Sequence, residues 1–225
     1  MQEASGKPAA PGVTRDWAQV IRARLAGSVP QHARADWRLP GRPSPGNESF
    51  RKRFPEDPVP AAVLIPLVER QELTMLFTQR ATRLRNHAGQ VAFPGGRIEP
   101  GDDGPQGAAL REAREEIGLD ERFVSVIGFL PDHLVITGFR VTPVVGFVKP
   151  GFELLLAREE VEETFEVPVN YLFDPLHHVP QRRRSGVTGE WVEFRDIPYG
   201  ARNIWGATAA MLLTLYRICV GTEQP

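Results

Sequence analysis

The chain has 225 residues, room for one sizeable domain with extensions or two small ones. Hydrophobic residues make up 41% and charged residues 24%, so a core can be buried and global disorder is excluded. Its 27 basic and 28 acidic residues leave a formal net charge of -1, which excludes a protein built mainly to coat nucleic acid or an acidic membrane surface. Arginine dominates the basic residues: Lys7, Lys52 and Lys149 are the only lysines, and arginine suits phosphate oxygens better. The single cysteine, Cys219, excludes an internal disulfide framework and a multi-cysteine zinc site, and its apolar surroundings predict a buried structural thiol. No apolar run reaches the roughly 20 residues of a membrane helix. Met1 to Pro11 lacks the charged start and apolar stretch of a secretory signal, so a reducing cytoplasm is the expected location.

In chain order, Met1 to Gly12 is small, polar and Pro-rich, the composition of a disordered start. Thr14 is placed to cap a short helix over Arg15 to Leu25, with Trp17, Val20, Ile21 and Leu25 as its apolar stripe. Ser28 to Pro58, rich in Pro, Gly and Arg, reads as a long surface connection. Ala61 to Val68 and Leu73 to Thr78 are apolar runs around a polar turn and predict an antiparallel strand pair. Pro66 should push the first of them to an edge or a bulge. Arg80 to Gly101 reads as a glycine-rich loop with an extended piece at Gln90 to Phe93, and Pro105 to Ile117 as a helix. Phe123 to Leu130 and Phe139 to Val148 are predicted strands, Glu159 to Thr164 a helical turn, and Phe165 to Val169 and Trp191 to Phe194 further strands. Arg182, Arg183 and Arg184 read as a solvated charge run, with a phosphate-contacting flap as the sharper alternative. Ile204 to Val220 is a final helix. Strands outnumber helices and do not alternate with them regularly, which predicts a mixed α/β sheet with helices packed on it.

The stretch Gly95 to Leu119 carries the most chemistry. Its helix is well punctuated: Asp103 or Gly104 can cap it, Pro105 fits the first turn and Gly118 the C-terminal end. Ala109, Leu110, Ala113 and Ile117 form an apolar face, and Glu112, Glu115 and Glu116 share another. Like charges so placed cost roughly 0.2–0.5 kcal/mol per pair in a bare helix. They also lie toward the C-terminal half, where the helix dipole disfavours anions. A divalent cation would reverse both effects. A solvated face paired with Arg111 and Arg114 is the plainer alternative. Gly95 and Gly96, just upstream, let backbone approach a ligand closely and can present a carbonyl to the same ion.

These residues resemble the Nudix box of the Nudix hydrolases. That signature reads Gly, five residues, Glu, seven residues, then Arg-Glu-apolar-x-Glu-Glu-x-Gly-apolar. Arg111-Glu112-Ala113-Arg114-Glu115-Glu116-Ile117-Gly118-Leu119 matches its second half throughout. The first half departs: counted from Gly96 the acidic residue is Asp102, and eight residues then precede Arg111. Upstream, Leu76-Phe77-Thr78-Gln79-Arg80-Ala81, then Arg85, Gly89 and Phe93-Pro94-Gly95-Gly96, resembles the motif of the coenzyme A pyrophosphatase branch, with Phe77 in place of a leucine. Thr137 to Gly146, and Glu160-Val161 through Phe165-Glu166-Val167-Pro168, resemble later segments of that branch.

The resemblance implies an α/β/α Nudix sandwich over residues 59–225, preceded by an N-terminal extension, 1–58, that contributes a helix. It implies Mg²⁺- or Mn²⁺-dependent hydrolysis of coenzyme A or a derivative to 3′,5′-ADP and 4′-phosphopantetheine. Glu112, Glu115, Glu116 and the Gly96 carbonyl resemble the metal ligands, and Arg111 the residue that orients Glu112 or Glu115. The general base is Glu112 or an outside glutamate; Glu160 is the candidate outside residue, as base or metal ligand, with one acid of the solvated run Glu159 to Glu163 as the plainer alternative. Arg80 and Arg85 are assigned to substrate phosphates, or alternatively to bracing the loop. Gly95 gives the substrate close access to backbone. Phe93, Phe139 and Trp205 are placed as adenine-stacking candidates or core residues, and His87 as a loop histidine within reach of substrate. The partner is then a small molecule, not nucleic acid or membrane, and a homodimer is expected by analogy. Two rivals stay open: a Nudix enzyme for ADP-ribose or a dinucleotide, and a catalytically silent nucleotide-binding module.

Overall fold

The computed structural model describes residues 15–30, 57–84, 87–135, 138–184 and 191–222. The expected disordered start, Thr14, most of the Ser28 to Pro58 connection, Arg85, Thr137 and the segment 185–190 lie outside them. Helix α1 (Trp17–Leu25) comes first, then strands β1 (Val59–Glu69), β2 (Leu73–Arg80), β3 (Val91–Ala92) and β4 (Gly95–Arg97). Helix α2 (Gly104–Ile117) leads to β5 (Val124–Phe129), β6 (His133–Leu134), β7 (Phe139–Val148) and β8 (Val161–Pro168). The chain ends with α3 (Val169–Leu172), β9 (Val179–Arg184), β10 (Trp191–Tyr199), β11 (Arg202–Ile204) and α4 (Gly206–Val220).

Strands β1 to β8 make one mixed sheet, and β9 to β11 a smaller antiparallel one. The centre of the large sheet is β1, which runs parallel to β7 from Val59↔Phe139 to Val68↔Val148. Its apolar run is nearly continuous because both faces are covered. Ala62, Leu64 and Val68 pack with Val144, Val148 and the α2 residues Ala108, Ala109, Ala113 and Ile117. Ala61, Ile65 and Leu67 face the other way, against Phe147, α1 through Ile21 and Leu25, and α4 through Leu212 and Leu215.

Strands β1 and β2 pair only near their turn, from Leu67↔Met75 to Glu69↔Leu73, and then splay. The short β4 fills the gap against β1 (Ala61↔Arg97 to Val63↔Gly95), and β3 fills it against β2 (Thr78↔Ala92, Gln79↔Val91). This corrects the expectation for Pro66. It lies in the central strand, not an edge, but between the stretch paired to β4 and the stretch paired to β2. A residue without an N–H is tolerated where the ladder changes partner.

Other departures have physical causes. The α1 helix starts at Trp17, capped by Asp16, whose carboxylate accepts from the Gln19 N–H at 3.1 Å. The turn expected over Glu159 to Thr164 ends at Glu160, and β8 takes over from Val161, because pairing with β2 overrides the local glutamate-rich helical preference. The arginine run Arg182 to Arg184 belongs to β9, paired with β10 from Val179↔Asp196 to Arg184↔Trp191. The final helix begins at Gly206 because Arg202–Ile204 form β11. Cys219 is buried, and burial pushes its thiol up to about 12. Among the described residues no helix is long and apolar enough to cross a membrane.

Candidate active site

The site is built where α2 crosses the mouth of the splayed strands. Helix α2 has Pro105 in its first turn and ends on Gly118, whose left-handed φ of 70° lets its N–H return to the Ala113 and Arg114 carbonyls. Its sheet-facing residues are small, with Ala108, Ala109 and Ala113 all at most 1% exposed. That lets the helix lie close to β1 and β4. The consequence appears at the double glycine. A Cβ on Gly96 would stand 2.4 Å from Glu112 Oε1, and one on Gly95 would stand 2.3 Å from the Ala62 carbonyl oxygen. Side chains at either position would close the space that Glu112 and β1 occupy.

Glu116 is 5% exposed, and its Oε2 accepts from the Gly95 N–H at 3.3 Å. Burial is the main cause that pushes its carboxyl up to about 8; Glu112 and Glu160 add to the shift, and Arg80 opposes it. Glu112 is part-buried and also held above the usual carboxylate range, by burial first, against the pull of Arg111. Glu115 lies further out, its side chain 55% exposed, with Oε2 accepting from Arg111 Nη1 at 3.1 Å. Glu160 lies at the turn before β8, where its carboxylate repels both Glu112 and Glu116.

Arg111 organises the acidic face. It donates to Glu112 Oε1 at 2.8 Å, to Glu115, and through Nη2 to the Arg97 carbonyl at 3.0 Å. Asp102 holds it in a fork, with Nε to Oδ1 at 2.9 Å and Nη2 to Oδ2 at 3.1 Å. These hydrogen bonds hold Asp102 below the usual carboxylate range and raise Arg111. Asp102 also accepts from the Glu99 N–H at 2.7 Å, which fixes the loop. The acidic residue of the lengthened loop therefore has a partner. Motif spacing hides that link, since a loop with an added residue has no period to read; the signal was the only acid at the expected count from Gly96.

Arg80, at the end of β2, stands in the field of Glu116, and its Nε is buried with no hydrogen-bond partner among the described residues. Arg85 lies outside the described residues. Phe93, placed as a stacking candidate or a core residue, lies in the core: it is 4% exposed and stacks on Phe77 at 5.1 Å. Phe139 takes Arg97 over its ring at 5.5 Å. His87 is a turn residue with φ 58° whose Nδ1 meets Gln90 Oε1 at 2.8 Å. Arg182 lies over Trp191 on the hairpin and 3.4 Å from Glu193.

Among the described residues no three His, Cys, Asp or Glu side chains converge as a ready-made metal cage, since Arg111 draws Glu112 and Glu115 to itself. The donor chemistry still suits a divalent cation. The site offers hard carboxylate oxygens beside a glycine turn, and a buried glutamate that faces two other acids.

The model of the NUDIX domain matches residues 58–203. A protein named as an uncharacterized Nudix hydrolase, NudL, from Citrobacter koseri is 39% identical over 176 residues, covering 77% of this chain and 86% of its own. NudL of Salmonella dublin is 42% identical over 157 residues, covering 69% and 80%. Among solved structures, a MutT/nudix family protein from Enterococcus faecalis aligns with a TM-score of 0.47 at 16% identity, over 78% of this chain and 68% of that one. The domain match covers more than half of the chain, and it contains the double-glycine turn, Arg111 and the acid pair. The chain therefore belongs to the Nudix hydrolases, enzymes that split diphosphates of nucleoside diphosphate derivatives and generally work with divalent metal ions.

Proposed function

We propose that the substrate is coenzyme A or an acylated or oxidised derivative. Water adds across the diphosphate, one P–O bond breaks, and 3′,5′-ADP and (acyl-)4′-phosphopantetheine leave. The observation that carries this reading is Arg80. It belongs to the run Leu76 to Gly96 that resembles the coenzyme A branch, its charge acts on Glu116, and its buried Nε meets no acceptor among the described residues. A guanidinium so placed suits a phosphate oxygen. Arg85 is assigned to the same task, and Gly95 gives the substrate access to backbone.

A bound Mg²⁺ or Mn²⁺ would neutralise the diphosphate and acidify a water. Glu112, Glu115, Glu116 and the Gly96 carbonyl would hold it. Arg111 orients Glu112 and Glu115, with Asp102 behind it. Glu112 or Glu160 takes the proton from the attacking water. Positioning and charge stabilisation supply most of the rate in such a transfer. We place the enzyme in the cytoplasm as a homodimer, the first on the buried lone thiol and the second by analogy.

Product analysis after incubation with coenzyme A and Mg²⁺ should show 3′,5′-ADP and 4′-phosphopantetheine. Equal rates on coenzyme A and its 3′-dephosphorylated form, or a preference for ADP-ribose, would move the assignment to another Nudix substrate. No metal-dependent turnover of any diphosphate would leave a binding module.

A further inference from the structure

The turn that carries Glu160 is held from two sides. On one side it hangs from the end of α2: the Ala157 N–H donates to the Glu116 carbonyl at 2.8 Å and the Leu155 N–H to that of Ile117 at 2.9 Å. On the other side the ladder between β2 and β8 slips. Gln79 faces Glu163 but Arg80 faces Val161, so Glu162 is the extra residue on β8. A bulge takes one residue out of the ladder and re-aims its side chain, and such slips gather next to active sites. Here the Glu162 carboxylate turns to the loop after β2, where it accepts from both the N–H and the hydroxyl of Thr82 at 3.2 Å. Arg83 in the same loop donates to the Arg158 carbonyl and lies 3.6 Å from Glu159. Arg158 closes the turn by donating to the Glu162 carbonyl at 2.7 Å. Glu160 sits between these anchors, its carbonyl accepting from the Ala81 N–H at 2.8 Å.

We propose that Glu162 and Thr82 are positioning residues that hold Glu160 beside Glu112 and Glu116. The inference rests on the reading that Glu160 acts at this site. The need is electrostatic. Glu160 is solvent-exposed and repelled by both acids it must join, so an unrestrained turn would let its carboxylate drift away from them. The clasp opposes that swing without touching the reacting atoms. Glu162 and Thr82 are solvent-exposed, and exposed pairs alone stabilise a fold little, so the test must read position and not stability.

Glu162→Ala should lower kcat on the order of tenfold with KM nearly unchanged, as expected when a working group is displaced. Glu162→Gln keeps an oxygen that accepts from Thr82 and should restore most of the rate. In a Glu160→Gln background, Glu162→Ala should cost nothing further, because the group it positions is already disabled. Wild-type kcat in Glu162→Ala, or a loss that adds in full to that of Glu160→Gln, overturns the clasp. If the unaltered enzyme turns over no diphosphate, the proposed function fails separately. The clasp is then judged by Mn²⁺ titration calorimetry. Glu162→Ala and Glu160→Gln should weaken Mn²⁺ by the same factor, and the double variant by no more; unchanged affinity in Glu162→Ala overturns it.

Discussion

Glu116 is the residue on which folding and chemistry pull in opposite directions. Burial keeps its proton up to about 8, against an ordinary value of 4.5. Below the ordinary value both native and unfolded chains carry the proton, and the native state keeps its full contribution. As pH rises from 4.5 toward 8 the unfolded chain releases it first, so stability is lost across that window. Thermal melts in chelator should show Tm falling from about pH 5 to about pH 8, and Glu116→Gln should flatten that fall while abolishing turnover. Gly96→Ala tests the close approach differently. Its new Cβ meets the mobile end of Glu112, not backbone, so Tm should hold. The displaced carboxylate should lower kcat on the order of a hundredfold, read in the same preparation. At this scale the sequence was informative where helical period applies: the spacing of Glu112 and Glu116 alone places them on one face. It was silent on Asp102 and Arg111, whose pairing depends on how a loop of irregular length folds back.

Elements follow the same division. Strand β7 occupies Phe139–Val148 as expected, because a long apolar run buried on both faces leaves no choice of boundary. Strand β4 is Gly-Gly-Arg, a sequence with no strand preference, and it exists because splayed β1 needs a partner at Ala61 to Val63. The register slip at Glu162 is a tertiary event that no local pattern carries. Helix α1 was legible as a stripe, but not its depth. Leu25 is fully buried, and Ser28 beyond it accepts from the Phe129 N–H at 2.9 Å and donates to the Leu25 carbonyl. Leu25→Ala should therefore cost about 2–5 kcal/mol in urea denaturation, with kcat per folded molecule unchanged. A cost below about 1 kcal/mol would show α1 to be a loosely attached cover.

For the whole molecule, the proposed ion site on α2 would link metal and proton binding to global stability. A ligand that binds only the native state raises Tm by mass action, and a carboxylate must lose its proton first. Mg²⁺ should thus raise Tm more at about pH 8 than at about pH 6. Equal shifts at both would detach the ion from Glu116. The small sheet bears on a different property, behaviour at high concentration. Among the described residues its outer strand β9 pairs with β10 alone, and such a margin is a template for pairing with another molecule. Pro180 removes one backbone donor from that strand. A second copy approaching strand to strand would lack that hydrogen bond, so the proline works against aggregation along this margin.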